Sequence, residues 1–354
     1  MRANKTTLAL LGAITLLAVP ALWADIGIIS PEEAQKLVTA PDAKKKLVIL
    51  DTRGGYKDYF RGHIQGAHHI NFDTLRGTDK GVPVQYLPAD LTKALLVRAG
   101  ADASKTHIIY ATGEALPNDE ILSASMVAFV LEKYGIKDIK IVDGGLPGYK
   151  AAGFVPTQDY YGNPPGKLPK AGNPGIALTL DDVVKNKDKA GFILVDARPI
   201  NEYEGKDEVW VRKGHIPGAV SFHWARLMEK DNTHKFKKFE EVKADLEASG
   251  ITPDKDVLCY CGTSREGSLL RFYLKYVANY PKVRLYEGAW KEYAWVKDKS
   301  MPAETGVPEK FPAAPAKDGP AKANPAPAKA DAKAADAPKP AAPKAAEAPA
   351  KKAE

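Results

Sequence analysis

The chain contains an internal copy of itself, and that constrains its fold more than any other feature. Leu47-Val48-Ile49-Leu50-Asp51-Thr52-Arg53 is followed by Gly62-His63-Ile64-Gln65-Gly66-Ala67. Phe192-Ile193-Leu194-Val195-Asp196-Ala197-Arg198 is followed by Gly214-His215-Ile216-Pro217-Gly218-Ala219. Two later blocks keep the same order. His107-Ile108-Ile109-Tyr110 parallels Val257-Leu258-Cys259-Tyr260, and Val142-Asp143-Gly144-Gly145 with Tyr149 parallels Tyr286-Glu287-Gly288-Ala289 with Tyr293. A period of this kind means two copies of one structural unit.

Within each copy, short apolar runs such as Val48–Leu50, Ile108–Tyr110 and Ile139–Val142 alternate with amphipathic helical stretches such as Ile121–Tyr134 and Phe239–Ser249. Continuous apolar strands are buried on both faces, and alternation of strand with helix predicts an α/β fold with a mostly parallel sheet covered by helices. Functional loops then belong at the carboxyl ends of strands.

The 354 residues divide accordingly. Residues 1–24 read as a secretory signal: Arg2 and Lys5, an apolar core from Leu8 to Val19, then Ala21 or Ala24 as the cleavage position. The first domain is expected over 28–156, a Pro- and Gly-rich linker over 157–175, the second domain over 176–305, and a disordered Ala/Pro/Lys-rich tail over 306–354. The expected product is exported and without membrane insertion after cleavage, and periplasmic in a Gram-negative host. A net charge of +7 is spread along the chain without an aromatic-and-basic cluster, so nucleic acid is not an expected partner.

Only two cysteines are present, Cys259 and Cys261. They are too few for a disulfide scaffold and make a poor zinc site, so neither metal nor cofactor is expected. Cys261 stands at the end of an apolar run and opens Cys261-Gly262-Thr263-Ser264-Arg265-Glu266-Gly267-Ser268, with a helical stretch, Leu269–Ala278, behind it. A thiol at a strand end, facing the amides of a short loop and a helix start, has the surroundings of an exposed, thiolate-forming nucleophile. Cys259 lies within the strand and reads as the inert partner.

These motifs together resemble the rhodanese sulfurtransferases in their tandem form, over roughly residues 28–305. The Asp-x-Arg strand end, the Gly-His-Ile-Pro-Gly-Ala turn, the strand–Cys–loop–helix and the late Glu-Gly-Ala-Trp carry the resemblance. It implies two rhodanese-like domains, each around a five-stranded, mostly parallel sheet, with the nucleophile in the second only. Ala111 stands where the first copy would need its cysteine, so that copy is expected to build one wall of the cleft.

The implied reaction moves sulfane sulfur from thiosulfate to cyanide or a thiol through a Cys261 persulfide, with 3-mercaptopyruvate as an alternative donor. A protein sulfur acceptor, or a carrier role without turnover, is a further alternative. Gly262, Thr263, Ser264, Arg265, Glu266, Gly267 and Ser268 are expected to surround the donor, with the hydroxyls donating to the persulfide, Glu266 turned outward, and Arg212 beside the cleft. Asp196, Arg198 and His215 are expected to be structural, because Asp51, Arg53 and His63 repeat them where no cysteine exists. The residue at Glu202 and the neutral Gly262 after the cysteine depart from the pattern of some relatives.

A phosphatase loop places arginine six positions after its cysteine to clamp phosphate. Here that position is Gly267, and Arg265 comes two residues too early.

Overall fold

The computed structural model describes residues 25–112, 121–162, 164–230, 232–296 and 300–306. The leader expected over 1–24, and all but Gly306 of the expected tail, lie outside the described residues.

The first module contributes strands β1 (Asp25–Ile29), β2 (Leu47–Asp51), β3 (Ala67–His69), β4 (Arg76–Asp79), β5 (Val82–Tyr86), β6 (Thr106–Tyr110) and β7 (Asp138–Val142). The second contributes β8 (Ala177–Leu178), β9 (Phe192–Asp196), β10 (Val220–Ser221), β11 (Met228–Glu229), β12 (Asn232–Phe236), β13 (Asp256–Tyr260) and β14 (Val283–Tyr286). Five strands of each module form one sheet, ordered β1-β7-β6-β2-β3 and β8-β14-β13-β9-β10. Every pairing within these sheets is parallel. The two orders are the same, so the duplication seen in sequence is a duplication of topology. The α/β fold expected from the alternating pattern is the fold observed.

The first module's β2 is wholly buried, as a strand covered on both faces must be. Loops from its carboxyl end and from β6 gather at one edge of the sheet, and β9 and β13 do the same in the second module. Tyr110 pairs with Asp51 in register, and Tyr260 with Asp196.

Two features were not foreseen. Each module carries an antiparallel hairpin, β4–β5 and β11–β12, both with an irregular register. The helix Ile121–Lys133 was expected to be amphipathic. Ile121 through Glu132 are instead buried all round, because this helix packs on its own sheet and against the helix Arg265–Phe272 of the second module. The helical stretch behind Cys261 runs as that helix and then a π turn, Tyr273–Val277.

The modules fall in a single compact unit and share one hydrophobic core, with Val127 and Phe129 in the same cluster as Leu270 and Phe272. Buried Arg271 donates to both oxygens of Glu132 at 2.8 and 3.0 Å across this boundary. Lys133 pairs with Glu287 at 2.7 Å. The hairpins are exchanged: in the first, Arg76 Nη1 donates to Thr263 O at 2.9 Å; in the second, Phe236 N donates to Asp143 Oδ1 at 3.1 Å and His234 O accepts from Gly144 N at 2.9 Å.

Candidate active site

The frame of the site is an ion pair locked into the sheet edge. Arg198 Nε lies 2.9 and 3.0 Å from the two Asp196 oxygens, and Nη2 reaches Asp196 at 2.5 Å and Gly214 O at 2.8 Å. Both side chains are buried, where a carboxylate is tolerated only with partners of this kind. His215 Nδ1 bonds to Tyr203 O at 2.7 Å and its ring stacks on Tyr203 at 3.6 Å. Burial lowers the proton affinity of this imidazole. These groups tie the Gly-His-Ile-Pro-Gly-Ala turn to the strand ends, and the Arg198 guanidinium lies over the Trp290 ring at 5.0 Å.

Cys261 follows β13 directly. The loop after it places Ser264 at φ +72°, in the left-handed region that costs a non-glycine residue on the order of 1 kcal/mol. Ser264 Oγ offsets this by donating to Glu287 O at 2.5 Å. The bend turns the backbone N–H groups of Thr263 and Gly267 toward the Cys261 sulfur, a concave amide arrangement that suits an anion. From the other side, Trp290 N donates to Cys261 O at 2.8 Å and Lys291 N to Gly262 O at 3.2 Å. The loop is thus stitched to the helix Ala289–Trp295. Gly262 has no room for a side chain: a Cβ there would sit 2.3 Å from Trp210 Cζ2. Trp210 is held over it by an indole hydrogen bond to Glu202 at 2.6 Å.

Five expectations need correcting here. Cys261 is not exposed; its accessible surface is zero. The sulfur lies under the first module's hairpin, where Tyr86 and Arg76 are close enough to interact with the site's charges. Its thiol is not shifted toward thiolate. Burial pushes it well up, the adjacent Glu266 carboxylate adds to the rise, and the Gly267 and Thr263 amides only partly oppose this. Glu266 therefore faces the sulfur rather than solvent. The hydroxyls of Ser264 and Ser268 are already committed, the second donating to Ser264 O at 2.6 Å.

Arg212 is likewise committed, its Nη1 and Nη2 donating to Met301 O at 2.5 Å and Tyr293 O at 3.0 Å. Arg265 lies over the Phe72 ring of the first module at 5.0 Å. Cys259 is a second free, buried thiol, also raised by burial.

Sequence reasoning missed Lys291, which is 6% exposed. Burial lowers its ammonium to a pKa of about 8 despite the opposing influence of Cys261. It also missed the hairpin residues Arg76 and Tyr86. A signal for Lys291 was present: the matching position in the first copy is Pro147. Among the described residues no group of histidine, cysteine and carboxylate side chains could hold a metal ion. An open cavity of about 390 Å³ lies at the matching edge of the first module, lined by Arg53, Arg61, Thr112 and Lys150.

Comparison with known proteins identifies the family. The chain matches the rhodanese-like domain family over residues 30–152 and again over 179–295. It is 35% identical to a putative thiosulfate sulfurtransferase of Synechococcus elongatus, over 86% of this chain and 96% of that one. It is 32% identical to the sulfur carrier protein TtuD of Thermus thermophilus, over 70% and 88%. With the 3-mercaptopyruvate sulfurtransferase of Escherichia coli K12 it shares 27% identity over 74% and 90%. In fold it is similar to the anaerobic ergothioneine biosynthesis enzyme from Chlorobium limicola, with a TM-score of 0.69 at 24% identity over 79% of this chain and 70% of that one. Two matched domains in one chain, with sulfurtransferases as relatives over most of its length, place this protein in the tandem rhodanese family of sulfurtransferases.

Proposed function

We propose that the protein transfers sulfane sulfur through Cys261, with thiosulfate as donor. The thiolate's electron pair forms a bond to the outer sulfur of thiosulfate. The sulfur–sulfur bond of the donor breaks, sulfite leaves with that pair, and Cys261 carries a persulfide anion. Cyanide or a thiol then takes the outer sulfur and returns the thiolate, so the kinetics are ping-pong.

The observation that carries this reading is the pair of amides, Thr263 and Gly267, turned onto the Cys261 sulfur. Such donors are most useful to the charged persulfide, less so to the neutral thiol. Thiosulfate is favoured as donor by the name of the relative at 35% identity. 3-Mercaptopyruvate is the alternative that the Escherichia coli relative supports. Export to the periplasm belongs to the same proposal and rests on the composition of residues 1–24. Among the described residues no helix is long and apolar enough to cross a membrane.

Intact-mass measurement after mixing with thiosulfate tests the reading. Wild type should gain one sulfur atom and Cys261→Ser none; a wild type that gains nothing from thiosulfate or 3-mercaptopyruvate overturns it. The TtuD relative favours a second reading, a persulfide carrier that hands sulfur to a protein. Slow release to cyanide with fast release to a protein thiol would select it.

A further inference from the structure

A buried ammonium ordinarily has a carboxylate beside it. Lys291 forms no such ion pair among the described residues. Its nearest acceptor is Glu287 O, at a weak 3.4 Å, and Glu287 is itself occupied by Lys133. What Lys291 does have is the sulfur loop. Its own N–H and that of Trp290 hold the carbonyls of Gly262 and Cys261, and its charge is coupled to that of Cys261. In the first module the matching residues are Leu146 and Pro147, and Leu146 N donates to Ala111 O at 3.1 Å just as Trp290 N does to Cys261 O. The stitch is retained where there is no thiol; the amine is not.

We propose that Lys291 accepts the Cys261 thiol proton and that the resulting ammonium then holds the thiolate and the persulfide anion. This rests on Cys261 being the sulfur-bearing residue. The step balances: Cys261–SH and Lys291–NH₂ become Cys261–S⁻ and Lys291–NH₃⁺. The thiolate pair then attacks the donor's outer sulfur, sulfite departs, and the negative charge left on the persulfide remains opposite the ammonium. Burial lowers the amine to about pKa 8, so a fraction of it is unprotonated near neutrality; burial also raises the thiol, so the transfer runs uphill in the resting site and is drawn forward when the thiolate attacks the donor.

The charged and titratable groups around it act in opposing directions. Cys261, Glu292 and Glu287 favour the ammonium, while burial and Arg76 disfavour it. Glu266 and Tyr86 lie on the sulfur side.

The test follows iodoacetamide alkylation of Cys261, read by peptide mass, and single-turnover sulfur uptake from thiosulfate. Both are followed from neutral to alkaline pH in wild type, Lys291→Met and Lys291→Arg. Loss of the amine should move the midpoint of Cys261 reactivity upward by about one unit, so that sulfur uptake near neutrality falls about tenfold. The permanently charged arginine can hold a thiolate but cannot take the thiol's proton, so it should move the alkylation midpoint below that of wild type while sulfur uptake near neutrality falls. Unchanged midpoints in both variants, with equal losses of rate, mark a packing role and overturn the proposal. If Lys291→Met does not fold, Lys291→Arg decides alone: a midpoint that fails to move down overturns it. Wild type that alkylates with the expected pH pattern yet takes up no sulfur sinks the transferase reading instead, and leaves the proton acceptor standing.

Discussion

The two modules are the same machine frame fitted once with a working part and once without. In the first, Arg53 Nε lies 2.9 and 3.0 Å from the Asp51 oxygens, and Nη2 lies 2.5 Å from Asp51 and 2.8 Å from Gly62 O. These are the distances found at Arg198. Tyr59 stacks on His63 as Tyr203 does on His215. Ile64 N donates to the Tyr110 hydroxyl at 3.1 Å and Ile216 N to that of Tyr260 at 3.2 Å. The modules diverge where chemistry would occur: Ala111, Thr112 and Pro147 against Cys261, Gly262 and Lys291. The lesson is that the buried Asp–Arg pair and the histidine belong to folding, since they persist where no sulfur reaction can take place. Thiol, glycine and amine form a set that exists only once.

The sharpest challenge to that comparison is a graft. Cys261→Ser should abolish sulfur uptake, and adding Ala111→Cys to it should not restore uptake, because Thr112 and Pro147 supply neither the glycine that fits under Trp210 nor an amine. Recovery of a sulfur adduct by intact mass would show that the frame alone suffices.

The modules also depend on each other. Arg271→Ala would leave the Glu132 carboxylate buried and unpaired, at a cost of about 3–5 kcal/mol, read as a drop in the denaturation midpoint. Arg271→Met with Glu132→Met should recover most of the loss.

A third measurement uses Lys291. In the folded protein its ammonium is lowered to about pKa 8 from an ordinary 10.5, chiefly by burial. That difference penalises the fold by roughly 3 kcal/mol below pH 8, where both states are protonated. Between about pH 8 and 10.5 the unfolded chain binds a proton that the folded chain does not, so wild-type stability from this group rises with pH. Lys291→Met should therefore be more stable than wild type at neutral pH, and the gap should close by about pH 10.5. Denaturant titrations at several pH values check this.

The smallest expected effect is at Glu266. Its carboxylate helps to raise the Cys261 thiol, so Glu266→Gln should speed alkylation of Cys261 at neutral pH severalfold.

Much of the fold was legible in the sequence because its signals are local. Apolar runs such as Val48–Leu50 report strands covered on both faces, and repeated Gly-His-Ile turns report a second copy. The hairpins β4–β5 and β11–β12 were not legible: Arg76-Gly77-Thr78-Asp79 and Met228-Glu229 carry no alternating pattern. Nor was the complete burial of Ile121–Glu132, since that helix is covered in part by the helix Arg265–Phe272, more than a hundred positions away. At the site, the cysteine and its amide loop were readable from the run of Gly, Thr and Ser after a strand. The direction in which Glu266 points was not, and neither was the use of the Arg212 guanidinium on the carbonyls of Met301 and Tyr293.

The sequence by itself determined the parallel α/β sheet, the duplication and which copy holds the sulfur, because strand burial and residue identity are written position by position. Only the tertiary structure decided how that sulfur is housed. Its burial, the rise in its thiol and the burial of Lys291 arise where the first module's hairpin, the loop after β13 and the helix Ala289–Trp295 meet. Desolvation and charge depend on what is near in space, and that is set only when the two copies close on one another.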